Sequence, residues 1–268
     1  MRLSRLAALL VLVAFSLPLL PTAQAEVREI SARRAKERKT FSDAEIANGF
    51  FKVAFGAEMG FGGPVDRIRK YVKPVRIFVE NNAKPDRTEE VAKVVADIQA
   101  RIANIDIAIT ERRENANFIV RLVRDRDLAK TVMKLYGPRG RKIVRSLEPQ
   151  CLSGFRKDDL FRITNSDVIL VSDAGDFIFY DCAYEELLQA LGPIRDDSSV
   201  PWTMFNDNVQ MGFFGVYDQY ILNILYHQRV EPGMTRAQVR ALLPQIMPEI
   251  REHVARINNV SPKPPIGR

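Results

Sequence analysis

One short stretch concentrates the polar groups able to do chemistry. In Asp181 to Asp197, DCAYEELLQALGPIRDD, the residues Glu185, Glu186 and Gln189 interrupt an otherwise apolar run. At about 100° per residue from Cys182, Glu185 falls at roughly 300°, Gln189 at roughly 340° and Glu186 at roughly 40°. The three share one helix face, and Ala183, Leu187, Leu188, Ala190 and Leu191 occupy the arc that anchors the helix on a core. A carboxylate held this way acts as a general base or as a ligand. An all-oxygen set of Glu185, Gln189, Asp196 and Asp197 suits calcium or another hard divalent cation better than zinc, which wants imidazole or thiolate. His227 and His253 are the only histidines, and His227, beside Tyr226 at a helix end, reads as structural. A carboxylate pair for glycoside hydrolysis needs a second acid, such as Asp207 or Asp218; FNDN, Phe205 to Asn208, reads equally as a turn capping the next helix. Cys151 and Cys182 are the only thiols. Glu185 and Glu186 beside Cys182 oppose thiolate formation, so the pair is expected to close a disulfide.

The pattern EExxQxxG, Glu185 to Gly192, resembles the zincin metallopeptidase helix HExxHxxG with both histidines replaced. The resemblance implies Glu186 as general base, Gly192 as the turn, and Glu185 and Gln189 at the ligand positions. Arg195 stands at the usual third-ligand position, with Asp196 one place later. From about Phe41 to Pro248 the chain also resembles a bacterial exported domain-of-unknown-function family, numbered 2927. That likeness rests on EELLQALG with its preceding Cys182, on VPWTMFNDN (Val200 to Asn208), on YDQYILNILYH (Tyr217 to His227) and on PGMT (Pro232 to Thr235). It implies a zincin-like architecture that has lost the usual zinc site, with no metal assigned.

The elements that must position these groups are legible from periodicity. Ser42 and Glu45 form a capping-box signature for a helix from about Asp43 to Phe55. GAEMGFGGP, Gly56 to Pro64, lacks the Gly-Lys-Ser/Thr of a phosphate loop and reads as an ordinary loop. Alternation predicts strands at Val75 to Glu80, Ile105 to Ile109 and Phe118 to Val123, and a short apolar run another at Val168 to Val171. Helical spacing of Val91, Val94, Val95, Ile98 and Ile102 predicts a helix opened by Asp86 or Thr88. Further helices are expected at Asp127 to Leu135, at Phe177 to Leu191 closed by Gly192 and Pro193, and at Phe214 to Tyr226. A last helix capped by Thr235 and Gln238 is expected to be divided by Pro244 and Pro248 before resuming through Val254 and Ile257. Between Gly137 and Asp167 the pattern is weak, with Gly137, Pro138 and Gly140 read as a loop. The sum is an α+β domain, 41–260, zincin-like, with a twisted mixed sheet, packed helices and a helical C-terminal third.

The chain has 268 residues, 46% apolar and 27% charged, enough for one buried core and too apolar for a disordered chain. Arg2 and Arg5, the apolar run Leu6 to Leu20, and Ala23 and Ala25 have the layout of a cleavable signal peptide, 1–25, and predict a periplasmic or secreted protein. No later run reaches the roughly 18 apolar residues of a membrane span. Removing the leader takes 2 bases from 40 and leaves 38 against 33 acids, a charge of +5. The basic segment 26–40, with Arg28, Arg33, Arg34, Lys36, Arg38 and Lys39, is expected to be solvated and partly disordered, as is the Pro-rich tail 261–268. Nucleic acid is excluded as a partner because aromatic and basic residues do not interleave. The expected role is binding a peptide or a cell-envelope component in a cleft lined by Glu185, Glu186 and Gln189. The competing expectation is a hydrolase, peptidase-like or acting on glycans, that keeps Glu186 as general base.

Overall fold

The computed structural model describes residues 27–56, 66–147, 150–193 and 195–265. The predicted leader, most of the GAEMGFGGP loop and the last three residues of the tail lie outside the described residues. In chain order the elements are α1 (Arg28–Ala35), α2 (Asp43–Val53), β1 (Val75–Asn81), α3 (Thr88–Arg101), β2 (Ile107–Ile109), β3 (Phe118–Val123), α4 (Asp125–Tyr136), α5 (Pro138–Leu147), β4 (Cys151–Lys157), β5 (Ile163–Val171), α6 (Asp176–Gln189), α7 (Val216–Leu225) and α8 (Arg236–Asn258).

The strands form one mixed sheet in the order β2-β1-β3-β5-β4. The β1–β2, β1–β3 and β3–β5 pairs are parallel, and β4 runs antiparallel to β5 along the edge, Leu152 opposite Ile169 and Gly154 opposite Asp167. Strand alternation sorts side chains between two faces. Phe118, Val120, Leu122, Val168 and Leu170 join the main core with α2, α3, α6, α7 and α8. Val123, Ile169 and Val171 point the other way, into a smaller core closed by Leu128, Val132 and Ile143 of α4 and α5.

The capping boxes at Ser42–Glu45 and Thr235–Gln238 are both formed. Three expectations are corrected. The Pro138–Gly140 stretch begins helix α5 rather than a loop: Pro at the first helical position costs no hydrogen bond, and a Cβ on Gly140 would lie 2.8 Å from the Val132 carbonyl, so only glycine allows α5 to cross α4 so closely. The weak region also holds β4 and the start of β5. Helix α8 is not divided: Pro244 and Pro248 sit four apart on its exposed side, and Arg240 and Pro244, whose carbonyls lose their amide partners, are exposed residues. The basic segment carries α1, whose Arg33 donates to the Gln210 carbonyl at 2.6 Å and lies over the Phe177 ring.

Candidate functional site

Helix α6 rests on the main core through Phe179, Ala183, Leu187 and Leu188, all fully buried. The periodicity that sends these four inward turns Asp181, Cys182, Glu185, Glu186 and Gln189 toward one cavity of about 310 Å³. Gln150, Cys151 and Leu152, where β4 begins, form its second wall, and Asp196, Asp207, Val209 and Gln210 of the loop after α6 form the third. The Cys151–Cys182 disulfide joins β4 to α6 across this cavity, with the Cα atoms 5.8 Å apart. On the chain-entropy account, a loop of this length contributes about 3–4 kcal/mol. Changing both cysteines to serine is therefore expected to lower the urea-unfolding free energy by about that amount; a loss below about 1 kcal/mol would show that the crosslink adds little to the packing around it.

The loop is held by α6 itself. Asp181 Oδ1 accepts the amides of Met211 at 2.6 Å and Gly212 at 2.9 Å, and burial raises the Asp181 pKa. Gln189 spends both ends of its carboxamide: Oε1 accepts from Ser153 Oγ at 3.2 Å, and Nε2 donates to Asp196 Oδ1 at 2.7 Å. Strand, helix and loop are thus tied through one side chain. Gly192 lets the chain leave the helix end. Its φ is +141°, and a Cβ there would lie 2.5 Å from the Arg69 carbonyl oxygen.

Oxygen atoms of Glu185, Asp196 and Asp207 lie within 4.8 Å of one another. Burial, then the charges of Glu186, Asp196, Asp181 and Asp207, push the Glu185 carboxyl well above the usual range. Glu186 is 7% exposed and lines the same cavity. Five carboxylates and no lysine or arginine line it among the described residues. Such a cluster stays compact by retaining protons or by receiving a positively charged group.

Of the expected site residues, Glu185, Glu186, Gln189 and Asp196 come together. Asp197 does not: its carboxylate caps Ser199 and faces Arg195 at 3.8 Å, so it leaves the oxygen set. Asp207 takes its place. The sequence offered only a weak signal for it, an aspartate in a turn. Asp181, one helical turn before Glu185, carried a clear one, since i and i+4 share a face. Asp218 lies elsewhere, buried under Thr203 and Met204. The donor set does not suit the zinc of the motif that EExxQxxG resembles: Gln189 is engaged at both ends, the cysteines are bonded to each other, and His227 pairs with Glu249 while His253 meets the Arg101 carbonyl.

Residues 43–245 match the family model described as a protein of unknown function, DUF2927. The chain belongs to the DUF2927 family. The matched span of this DUF2927 chain includes the whole sheet, α6 and the cavity, and stops within α8. No curated protein matches the DUF2927 chain.

Proposed function

We propose that this DUF2927 chain is an exported binding protein whose zincin-like cleft holds a positively charged, extended peptide segment of an envelope component without zinc catalysis. The observation that carries the reading is the five-carboxylate cavity with Glu185, Asp196 and Asp207 converging in it. A lysine, an arginine or a free amino terminus entering there relieves the repulsion that burial imposes on Glu185. The neighbouring wall is the start of β4, the edge strand of the sheet. An edge strand offers main-chain donors and acceptors to an added strand, while alternate side chains of the ligand enter pockets beside it.

The test is fluorescence anisotropy with a labelled, capped octapeptide alternating alanine and lysine, beside its alanine–glutamate counterpart. The basic peptide should bind, the acidic one should not, and Glu185→Gln with Asp207→Asn should weaken binding about tenfold or more. The peptide should be recovered intact. Equal binding of both peptides would overturn the reading. Cleavage that disappears in Glu186→Gln would move the assignment to the hydrolase. One calcium bound per chain, lost in the double variant and with no peptide bound, would make the cluster a hard-cation site instead.

A further inference from the structure

The chain's positive charge is concentrated in one place. From Arg124 to Arg145 the bases are Arg124, Arg126, Lys130, Lys134, Arg139, Arg141, Lys142 and Arg145, and the acids Asp125 and Asp127; eight minus two leaves +6, against +7 for the whole chain. These residues are the α4–α5 hairpin, which lies on the sheet face opposite the main core.

The hairpin is amphipathic about its own small core. Leu128, Val132 and Ile143 point inward, while Lys130, Lys134, Arg139, Arg141, Lys142 and Arg145 are exposed. On α5 the four bases span roughly 160° of outward arc at ideal helix geometry. Met133, 42% exposed, stands among the bases, while Leu135, 37% exposed, lies about 200° farther round α4 on its other flank. Along the flank of α4, Lys130, Lys134 and Leu135 also line a cavity of about 470 Å³ that opens beside the ends of β1 and β3. Arg113 and Arg121 in its wall are paired with Glu80 and Asp167, and Arg124 with Asp127. Lys130 and Lys134 close no salt bridge of 4 Å or less among the described residues, although the Lys134 charge helps hold the Glu80 carboxyl down, and both face the cavity mouth.

We propose that the α4–α5 hairpin is a docking face for an anionic phospholipid bilayer. Met133, about 60° from Lys130 around α4, enters the headgroup boundary, and Lys130 and Lys134 receive a headgroup phosphate at the mouth of the cavity. A soluble polyanion would need the charge but would gain nothing from the exposed apolar side chain; a bilayer uses both. Bases at the ends of flexible stems on one outward arc match a surface of mobile headgroups rather than a single rigid ligand.

Sedimentation of the full chain with vesicles tests this. Vesicles of phosphatidylcholine with 30% phosphatidylglycerol should bind it, more weakly as salt rises, and the variant carrying Lys130→Gln, Lys134→Gln, Arg141→Gln and Arg145→Gln should lose about tenfold or more in partitioning. A matched variant, Lys36→Gln, Lys39→Gln, Lys73→Gln and Lys263→Gln, removes the same charge from exposed positions elsewhere and should change partitioning less than threefold. Because both variants carry the same leader, the comparison isolates the hairpin; equal melting temperatures establish that both are folded. Met133→Ser should weaken binding several-fold. Equal loss in the two charge variants, equal binding to pure phosphatidylcholine, or no effect of Met133→Ser would each overturn the proposal. Full displacement by 10 mM inorganic phosphate would overturn it too, assigning the lysines to a soluble anion.

Discussion

Replacing Lys70 with Met should destabilise the fold by about 3–6 kcal/mol, one of the two largest effects expected in the molecule. Lys70 is 7% exposed, and its ammonium donates to three main-chain carbonyls, Leu225 at 2.9 Å, His227 at 3.1 Å and Val230 at 2.7 Å. These are the carbonyls at and beyond the end of α7, where the helix leaves acceptors without intrahelical partners and its dipole favours a cation. The ammonium ties the helix end to the turn that follows. Lys70 also bridges to Arg162, and its carbonyl accepts the Ile163 amide that opens β5. One residue therefore joins the C-terminal helices, through its ammonium, to the sheet, through its main chain. Burial draws its pKa down to about 8, and the three acceptors offset much of that cost by favouring the charged form. Methionine keeps the stem volume and removes only the ammonium, so the loss measures the Leu225 and Val230 carbonyls deprived of the ammonium, while the His227 carbonyl keeps the Val230 amide at 3.0 Å. For a domain of this size the melting temperature should fall by about 10 °C; a fall below about 3 °C would mean that water replaces the ammonium at little cost.

Lys70 was invisible in the sequence, and the reason applies to the rest of what was missed. Periodicity reports on neighbours within a helix turn or a strand, so the chemical face of α6 was legible: Glu185, Glu186 and Gln189 meet in one cavity because the same 3.6-residue spacing that buries Leu187 and Leu188 turns them outward. Strands lie in the first two-thirds and helices in the last third, as the periodicity indicates, but β4 is not among the strands it points to. Contacts between segments far apart leave no such trace. Asp207 joins Glu185 only because the loop after α6 is folded back by Asp181 and Gln189. The β4 strand, CLSGFRK, carries Gly154 and two charges and shows no alternation, since an edge strand is buried on few sides. Helix α5 opens with Pro, Arg and Gly, a loop-like string that becomes helical because its bases face outward and Gly140 fits against α4. In α8 the prolines signal breaks by sequence alone, but their position on the exposed side makes each lost bond inexpensive.

Folding stability should fall as pH rises from about 5 to 8, by about 3 kcal/mol, and Asp218→Asn should remove most of that slope. Asp218 is fully buried on α7; its Oδ1 accepts from Thr203 Oγ1 at 2.5 Å and its Oδ2 from the Met204 amide at 3.1 Å. Desolvation raises its pKa to about 7, against these two hydrogen bonds, with the Glu37 charge adding to the rise. An acid whose folded pKa exceeds its unfolded value of about 4 holds its proton in the native state where the unfolded chain has lost it. Its stabilising contribution is then complete below about pH 4 and declines until the native carboxyl ionises near 7. From pH 5 to 7 that amounts to about 2.7 kcal/mol at 1.36 kcal/mol per unit. Burial also raises the carboxyls of Glu37, Asp181 and Glu185, which act in the same direction. The carboxyls lowered by their partners, among them Glu45 and Asp197, oppose the trend only as pH falls through their own depressed values, below the window measured. Asparagine reproduces the shape of the protonated acid and can still accept the Met204 amide while donating to the Thr203 oxygen. The variant should match the native chain near pH 5 and exceed it in urea-unfolding free energy near pH 8. An unchanged slope in Asp218→Asn would place the pH dependence in the α6 cavity, where Glu185→Gln would then have to abolish it.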